Sequence, residues 1–120
     1  MLLANDGMRD GVQILPRPYL LEATDWKKHP SVFHPTVATP VFGYGYQFWL
    51  FPGESRRFAM VGMRGQIIYV DTESKLVMVQ TAVAKHPDFY RKDSMGLEFG
   101  GVWRALLGIS DHRDRSRIST

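Results

Sequence analysis

Cysteine is absent from this sequence, and that single absence removes three kinds of chemistry. A disulfide framework, a thiolate zinc site and a cysteine nucleophile are all excluded. Long apolar runs are missing as well, since no stretch of about 18 residues is apolar enough to span a bilayer. Met1 is followed by Leu2, Leu3 and Ala4, without the basic start of a signal peptide. The expectation is a soluble, untargeted chain, with the cytoplasm favoured over the periplasm. A large excess of one charge is also lacking, because 15 Lys and Arg stand against 12 Asp and Glu for a net charge of +3. Lys27, Lys28, Arg56, Arg57, Lys85, Arg91 and Lys92 fall in connections and are not gathered on one face among stacking aromatics. They read as solvated surface, which speaks against nucleic acid or a membrane as partner.

What the chain does have is 44% hydrophobic residues in 120, enough for one core and free of low-complexity bias. Met1 to Ala4 reads as the end of an apolar helix, cut off by the turn formers Asn5, Asp6 and Gly7. A helix that starts at residue one has no first turn, so the expectation is a chain that begins in mid-domain. Gly11 to Leu15 is a short extended piece, after which Pro16 and Pro18 set up a helix start. Tyr19, Leu20 and Ala23 form the predicted buried stripe of that helix, which ends near Thr24. From Asp25 to Pro40, His29, Pro30, His34 and Pro35 interrupt any periodicity and predict a loop.

From Tyr44 onward the pattern is that of strands. Tyr44 to Phe51 is rich in aromatics and bounded by Gly43 and by Pro52-Gly53. Phe58 to Met63, Gln66 to Val70 and Leu76 to Ala82 follow, with turns short enough for antiparallel neighbours. Ile67, Ile68 and Val70, like Leu76 to Val79, are apolar on successive positions, which predicts cover on both faces of the sheet. One strong helix follows, with Asp93 or Ser94 as cap and Phe99, Val102, Trp103, Leu106 and Leu107 as its apolar stripe. Gly108 fits its stop. The fold class predicted is α+β: an antiparallel sheet of about four strands, a C-terminal helix on one face and short N-terminal helices. Residues 1–109 would form the domain and residues 110–120 a mobile polar tail.

Two stretches carry a resemblance. Gly11-Val12-Gln13-Ile14-Leu15-Pro16-Arg17-Pro18-Tyr19-Leu20-Leu21-Glu22-Ala23-Thr24 is similar to the segment before the substrate-side loops in class C-like esterases. Gly43-Tyr44-Gly45-Tyr46-Gln47-Phe48-Trp49-Leu50, followed by Met60-Val61-Gly62-Met63-Arg64-Gly65-Gln66 and the strand pair ending at Gln80, resembles relatives of the 6-aminohexanoate-dimer hydrolases. Together they make the chain look like the C-terminal part of a serine hydrolase related to β-lactamases and penicillin-binding proteins, with a partial β-lactamase/transpeptidase-like fold. The likeness extends from Met1 to about Gly108.

That resemblance implies a Ser-x-x-Lys nucleophile pair, a tyrosine or serine motif and a Lys-Thr-Gly-like strand. The first two are absent. Ser31, Ser55, Ser74, Ser94 and Ser110 are followed three positions on by His34, Phe58, Val77, Leu97 and Arg113, and no Tyr-x-Asn occurs. The third motif maps onto Met63-Arg64-Gly65, with Gln66 next. By resemblance the Gln66 backbone N–H would face the oxyanion, Gly65 would let substrate approach the strand and Arg64 would meet a substrate carboxylate. The plain alternative is a turn between strands with a solvated arginine. Tyr44, Tyr46 and Trp49 are candidates for a pocket taking an amide or ester, although Phe48 and Trp49 read first as core. His29 and His34 lack partners at metal-ligand spacing, and Asp71 and Glu73 read as solvated turn acids; neither metal nor cofactor is expected.

Two functional readings follow. One is a fragment of a serine hydrolase that supplies the third-motif wall, lacks the nucleophile and is inactive alone. The other is a non-catalytic binding or assembly module whose Leu76 to Ala82 sheet edge pairs with a missing N-terminal segment or with itself. A small-molecule pocket on Tyr44, Tyr46 and Trp49 is a third option.

Overall fold

The computed structural model describes residues 1–85 and 98–108. The cap expected at Asp93 or Ser94 and the tail from residue 110 lie outside the described residues. Met1 to Ala4, expected to be a helix end, holds no full helical turn, but it closes with the bonds of a helix C-terminus: Gly7 N–H donates to the Leu2 carbonyl (2.9 Å) and Asp6 N–H to the Leu3 carbonyl (3.3 Å). Positive φ at Asp6 (53°) and Gly7 (83°) bends the backbone away from the helical path. Asp10 and Gly11, at φ 50° and 77°, then close a two-residue turn. Asp-Gly is a favoured pair for such a turn, and it joins β1 (Met8–Arg9) to β2 (Val12–Gln13).

Pro16 precedes α1 (Arg17–Thr24), which buries Leu20, Ala23 and Thr24. Tyr19, expected in the buried stripe, is 52% exposed, because it turns outward to stack on Tyr46. The following loop contains two single 3-10 turns, Trp26–Lys28 and Ser31–Phe33.

The aromatic stretch is where the structure corrects the four-strand expectation. Tyr46 and Gln47 have φ of 41° and 75°, so the chain reverses there. The single strand predicted from Tyr44 to Phe51 is instead a hairpin of β3 (Gly43–Gly45) and β4 (Phe48–Leu50), with Tyr44 opposite Trp49. Then come β5 (Arg57–Val61), β6 (Ile67–Asp71) and β7 (Leu76–Gln80), within two residues of their predicted bounds. The result is a five-stranded antiparallel meander in the order β3-β4-β5-β6-β7, beside the small β1-β2 hairpin. With its helices this is an α+β fold.

Apolar residues on both faces of the sheet are covered, as the unalternating strands predicted. On one face Ala59, Ile67 and Tyr69 pack with Trp103 and Leu107, and Trp49, Val61, Leu76 and Met78 border them. Trp103 and Leu107 belong to a second helix, α2, over residues 98–108. Val102, expected in its buried stripe, is 51% exposed. On the other face Leu50, Phe58 and Val70 pack with Ala4, bordered by Leu3, Trp26, Phe48 and Ile68. In β4, β5 and β6 odd-numbered residues face the first core and even-numbered ones the second, since successive strand side chains point to opposite sides. In β7 the parity is reversed, with Leu76 and Met78 on the first face and Val77 on the second.

Polar links tie the distant segments down. The Arg56 guanidinium pairs with Asp6 and donates to Thr24 Oγ1 (2.7 Å), while its carbonyl accepts from Thr72 Oγ1 (2.9 Å). Lys75 Nζ donates to the Ala4 carbonyl (2.9 Å). Arg56 and Arg57, read from sequence as solvated surface, are thus largely buried, with side chains 14% and 21% exposed.

Candidate functional site

Between β5 and β6 the chain makes a tight 3-10 turn over Met63–Gly65, with Arg64 at φ 62° and Gly65 at φ 92°. Two successive left-handed residues are costly for a non-glycine side chain, so something must hold Arg64 there. The connection after β7 does. Ala84 N–H donates to the Arg64 carbonyl (3.0 Å), and Arg64 Nη1 donates to the carbonyls of Ala84 (3.2 Å) and Lys85 (3.1 Å). Gln66 Nε2 donates to the Ala82 carbonyl, and Gln80 Nε2 to the Gly65 carbonyl (2.9 Å). A Cβ on Gly65 would come within 3.1 Å of Ala82 Cβ. Glycine here is explained by this close crossing as well as by φ.

Arg64, Gly65 and Gln66 form the turn and its exit, and the side chains of Arg64 and Gln66 bond to carbonyls of the crossing segment, those of Ala82, Ala84 and Lys85. Sequence spacing carried no signal for that segment, because its part is played mainly by backbone carbonyls. Next to the turn lies an open groove of about 330 Å³, lined by Met60, Gly62, Gln66, Ile68, Val79 and Thr81 among others. It is mostly apolar and sits where β5, β6 and β7 end.

Two of the three pocket aromatics, Tyr44 and Tyr46, line one cleft, and Trp49 does not. Tyr44 and Trp49 face each other across the β3-β4 hairpin with ring centroids 4.7 Å apart. Trp49 borders the Trp103 core, in keeping with its first reading as a core residue. Tyr46 belongs to a second cluster. Its ring stacks on Tyr19 (5.9 Å, 11°) and meets His29 edge to face (5.1 Å), and its hydroxyl donates to Glu22 Oε1 (2.9 Å). That bond to a carboxylate raises the Tyr46 pKa above its ordinary value. Gly45 leaves no room for a Cβ against the His29 ring. A cleft of about 490 Å³ opens beside these groups, lined by Glu22, Lys28, His29, Phe33, Tyr44 and Tyr46 among others, without Trp49.

The histidines of the proline loop are used for packing. His34 Nε2 lies 2.5 Å from the His29 carbonyl, which can only accept, so Nε2 carries the proton. The His34 ring also meets Trp26 edge-on at 5.0 Å. Among the described residues no group of three or more His, Asp or Glu could hold a metal ion. Asp71, expected to be a solvated turn acid, is fully buried. It pairs with Arg57 across the β5-β6 register (3.4 Å) and accepts from Ser74 Oγ (2.5 Å). Its polar environment explains how a carboxylate resides in the core.

No helix among the described residues is long and apolar enough to cross a membrane. No family model matches the chain, and no curated protein matches it either.

Proposed function

We propose that this chain supplies one wall of a serine hydrolase site of the β-lactamase and penicillin-binding-protein type, for amide or ester bonds. The observation that supports this best is the turn at Met63–Gly65 between the end of β5 and the start of β6, left-handed at Arg64 and Gly65, whose flanking residues Gly62 and Gln66 line an open groove. Hydrolases of this type need a strand whose backbone approaches the scissile carbonyl closely and offers it an N–H. In this reading Gln66 offers the N–H, and the approach is along the groove, because the space beside Gly65 is taken by Ala82 and Ala84. Arg64 is held by Ala84 and Lys85, which leaves it a smaller part in substrate binding than its charge suggests. The 120 residues contain no Ser-x-x-Lys, so a nucleophile would have to come from another segment or another chain.

The experiment is to search the DNA next to this gene's coding region for an in-frame Ser-x-x-Lys, express the joined frame and treat both forms with a fluorophosphonate. A labelled serine is expected in the joined protein, and neither label nor nitrophenyl-ester burst in the 120-residue chain. An acyl burst from the chain alone defeats the proposal, and the lack of such a motif in frame defeats the form in which one gene supplies both segments.

The second reading is an assembly module. It is favoured by β7, which ends the sheet order and carries Val79 at 63% exposure on the grooved face.

A further inference from the structure

We infer that β7 pairs antiparallel with β7 of a second copy of this chain, about a twofold axis at Met78. The inference rests on the assembly reading and names its partner and register. No described strand lies beyond β7, so one row of its backbone N–H and carbonyl groups has no strand partner among the described residues. Edge strands that avoid such pairing carry a lysine, a proline or a bulge. Leu76-Val77-Met78-Val79-Gln80 has none of these: it is uncharged, and its register with β6 is continuous over five pairs. The nearest cation, Lys75, is turned away to the Ala4 carbonyl at 2.9 Å.

Charge and shape select the antiparallel arrangement with a second copy. An axis at Met78 sets Val77 of one copy opposite Val79 of the other, Leu76 opposite Gln80, and Lys75 opposite Thr81. No like charges meet. Parallel pairing in register would place the two Lys75 side by side, which is unfavourable. On the grooved face, the partner's Val77 would cover the exposed Val79 and extend the apolar strip formed with Met60 and Ile68. Aliphatic side chains would thus continue across the axis, the kind of contact that stabilises a strand pair. The contact area of a five-residue edge is small compared with stable interfaces, so the dimer is weak and depends on concentration.

The absence of native cysteine makes the register directly testable. Val77→Cys and Val79→Cys chains are prepared separately, mixed in equal amounts and oxidised with copper-phenanthroline, which takes two electrons per disulfide as two protons leave. Preferential 77–79 disulfide between unlike chains is expected, because directly opposed antiparallel residues bring their Cβ atoms close to disulfide distance. In parallel, sedimentation equilibrium compares the native chain with Val79→Lys. Val79 is exposed, so this change should leave the melting profile intact while weakening dimerisation at least tenfold. A chain that stays monomeric at every concentration overturns both this inference and the assembly reading. A dimer that ignores Val79→Lys, or that links 79 to 79 in preference to 77 to 79, overturns the inference alone.

Discussion

Trp103 lies nearly flat against Tyr69, with ring centroids 5.2 Å and planes 18° apart, and both side chains are almost fully buried. The stack joins α2 to the middle strand of the last three in the sheet. It also makes the helix dependent on the sheet, because Gly100 and Gly101 each lower helix stability by about 1 kcal/mol relative to alanine.

Removing that contact should therefore be expensive. Trp103→Ala is expected to destabilise the fold by about 3–5 kcal/mol, a large part of the stability of a domain this size. Val102→Ala, one residue away and half exposed, should change it by well under 1 kcal/mol. Urea unfolding of the two variants checks the difference, and equal losses would mean that α2 does not dock through Trp103.

The buried pair of Arg57 and Asp71 predicts an asymmetry. Asp71→Asn leaves the Arg57 charge without its counter-ion and weakens the hold on the Ser74 hydroxyl, at a cost of about 3 kcal/mol. Replacing both residues together, Arg57→Met with Asp71→Leu, should cost less than the single change, since no lone buried charge remains. A double-mutant cycle by chemical denaturation measures this. Additive losses would contradict the pairing.

The Tyr46 hydroxyl gives a pH prediction. Its donation to Glu22 raises its pKa above the ordinary tyrosine value. The stabilisation is fully present below the unfolded tyrosine pKa of about 10 and is lost as pH rises through the higher folded value. Ultraviolet titration of the native chain against Tyr46→Phe should isolate in the difference one tyrosine that ionises above its ordinary pH. Glu22→Gln should move that difference step to lower pH. A difference step at the ordinary pH would mean that Glu22 does not hold the Tyr46 proton.

Arg64, Gly65 and Gln66 were singled out by resemblance to a third-motif strand. What local pattern supplied was the turn between two strongly β-forming runs, and that turn is present. That Arg64 and Gln66 hold the Ala82 to Lys85 carbonyls was not legible, because backbone acceptors leave no mark on residue type. Tyr44, Tyr46 and Trp49 were grouped as aromatics close in sequence; the hairpin leaves Tyr44 and Tyr46 beside one cleft and turns Trp49 toward the core.

The sequence by itself determined β5, β6, β7 and the Trp103 and Leu107 part of the apolar stripe of α2, without Val102. Each is set by side-chain periodicity over a few residues, and unbroken apolar runs in β6 and β7 already required cover on two sides. Tertiary structure alone decided the reversal at Tyr46 and Gln47, because neither residue favours positive φ and the turn is supported by Tyr19 and Glu22, more than twenty residues away. It also decided that Arg56, Arg57 and Asp71 are buried, since a charge enters a core only where its partner is delivered. Asp6 reaches Arg56 across 50 residues, and Asp71 meets Arg57 through the register of two strands. Partners that far apart in the chain are brought together by the fold, not by local pattern.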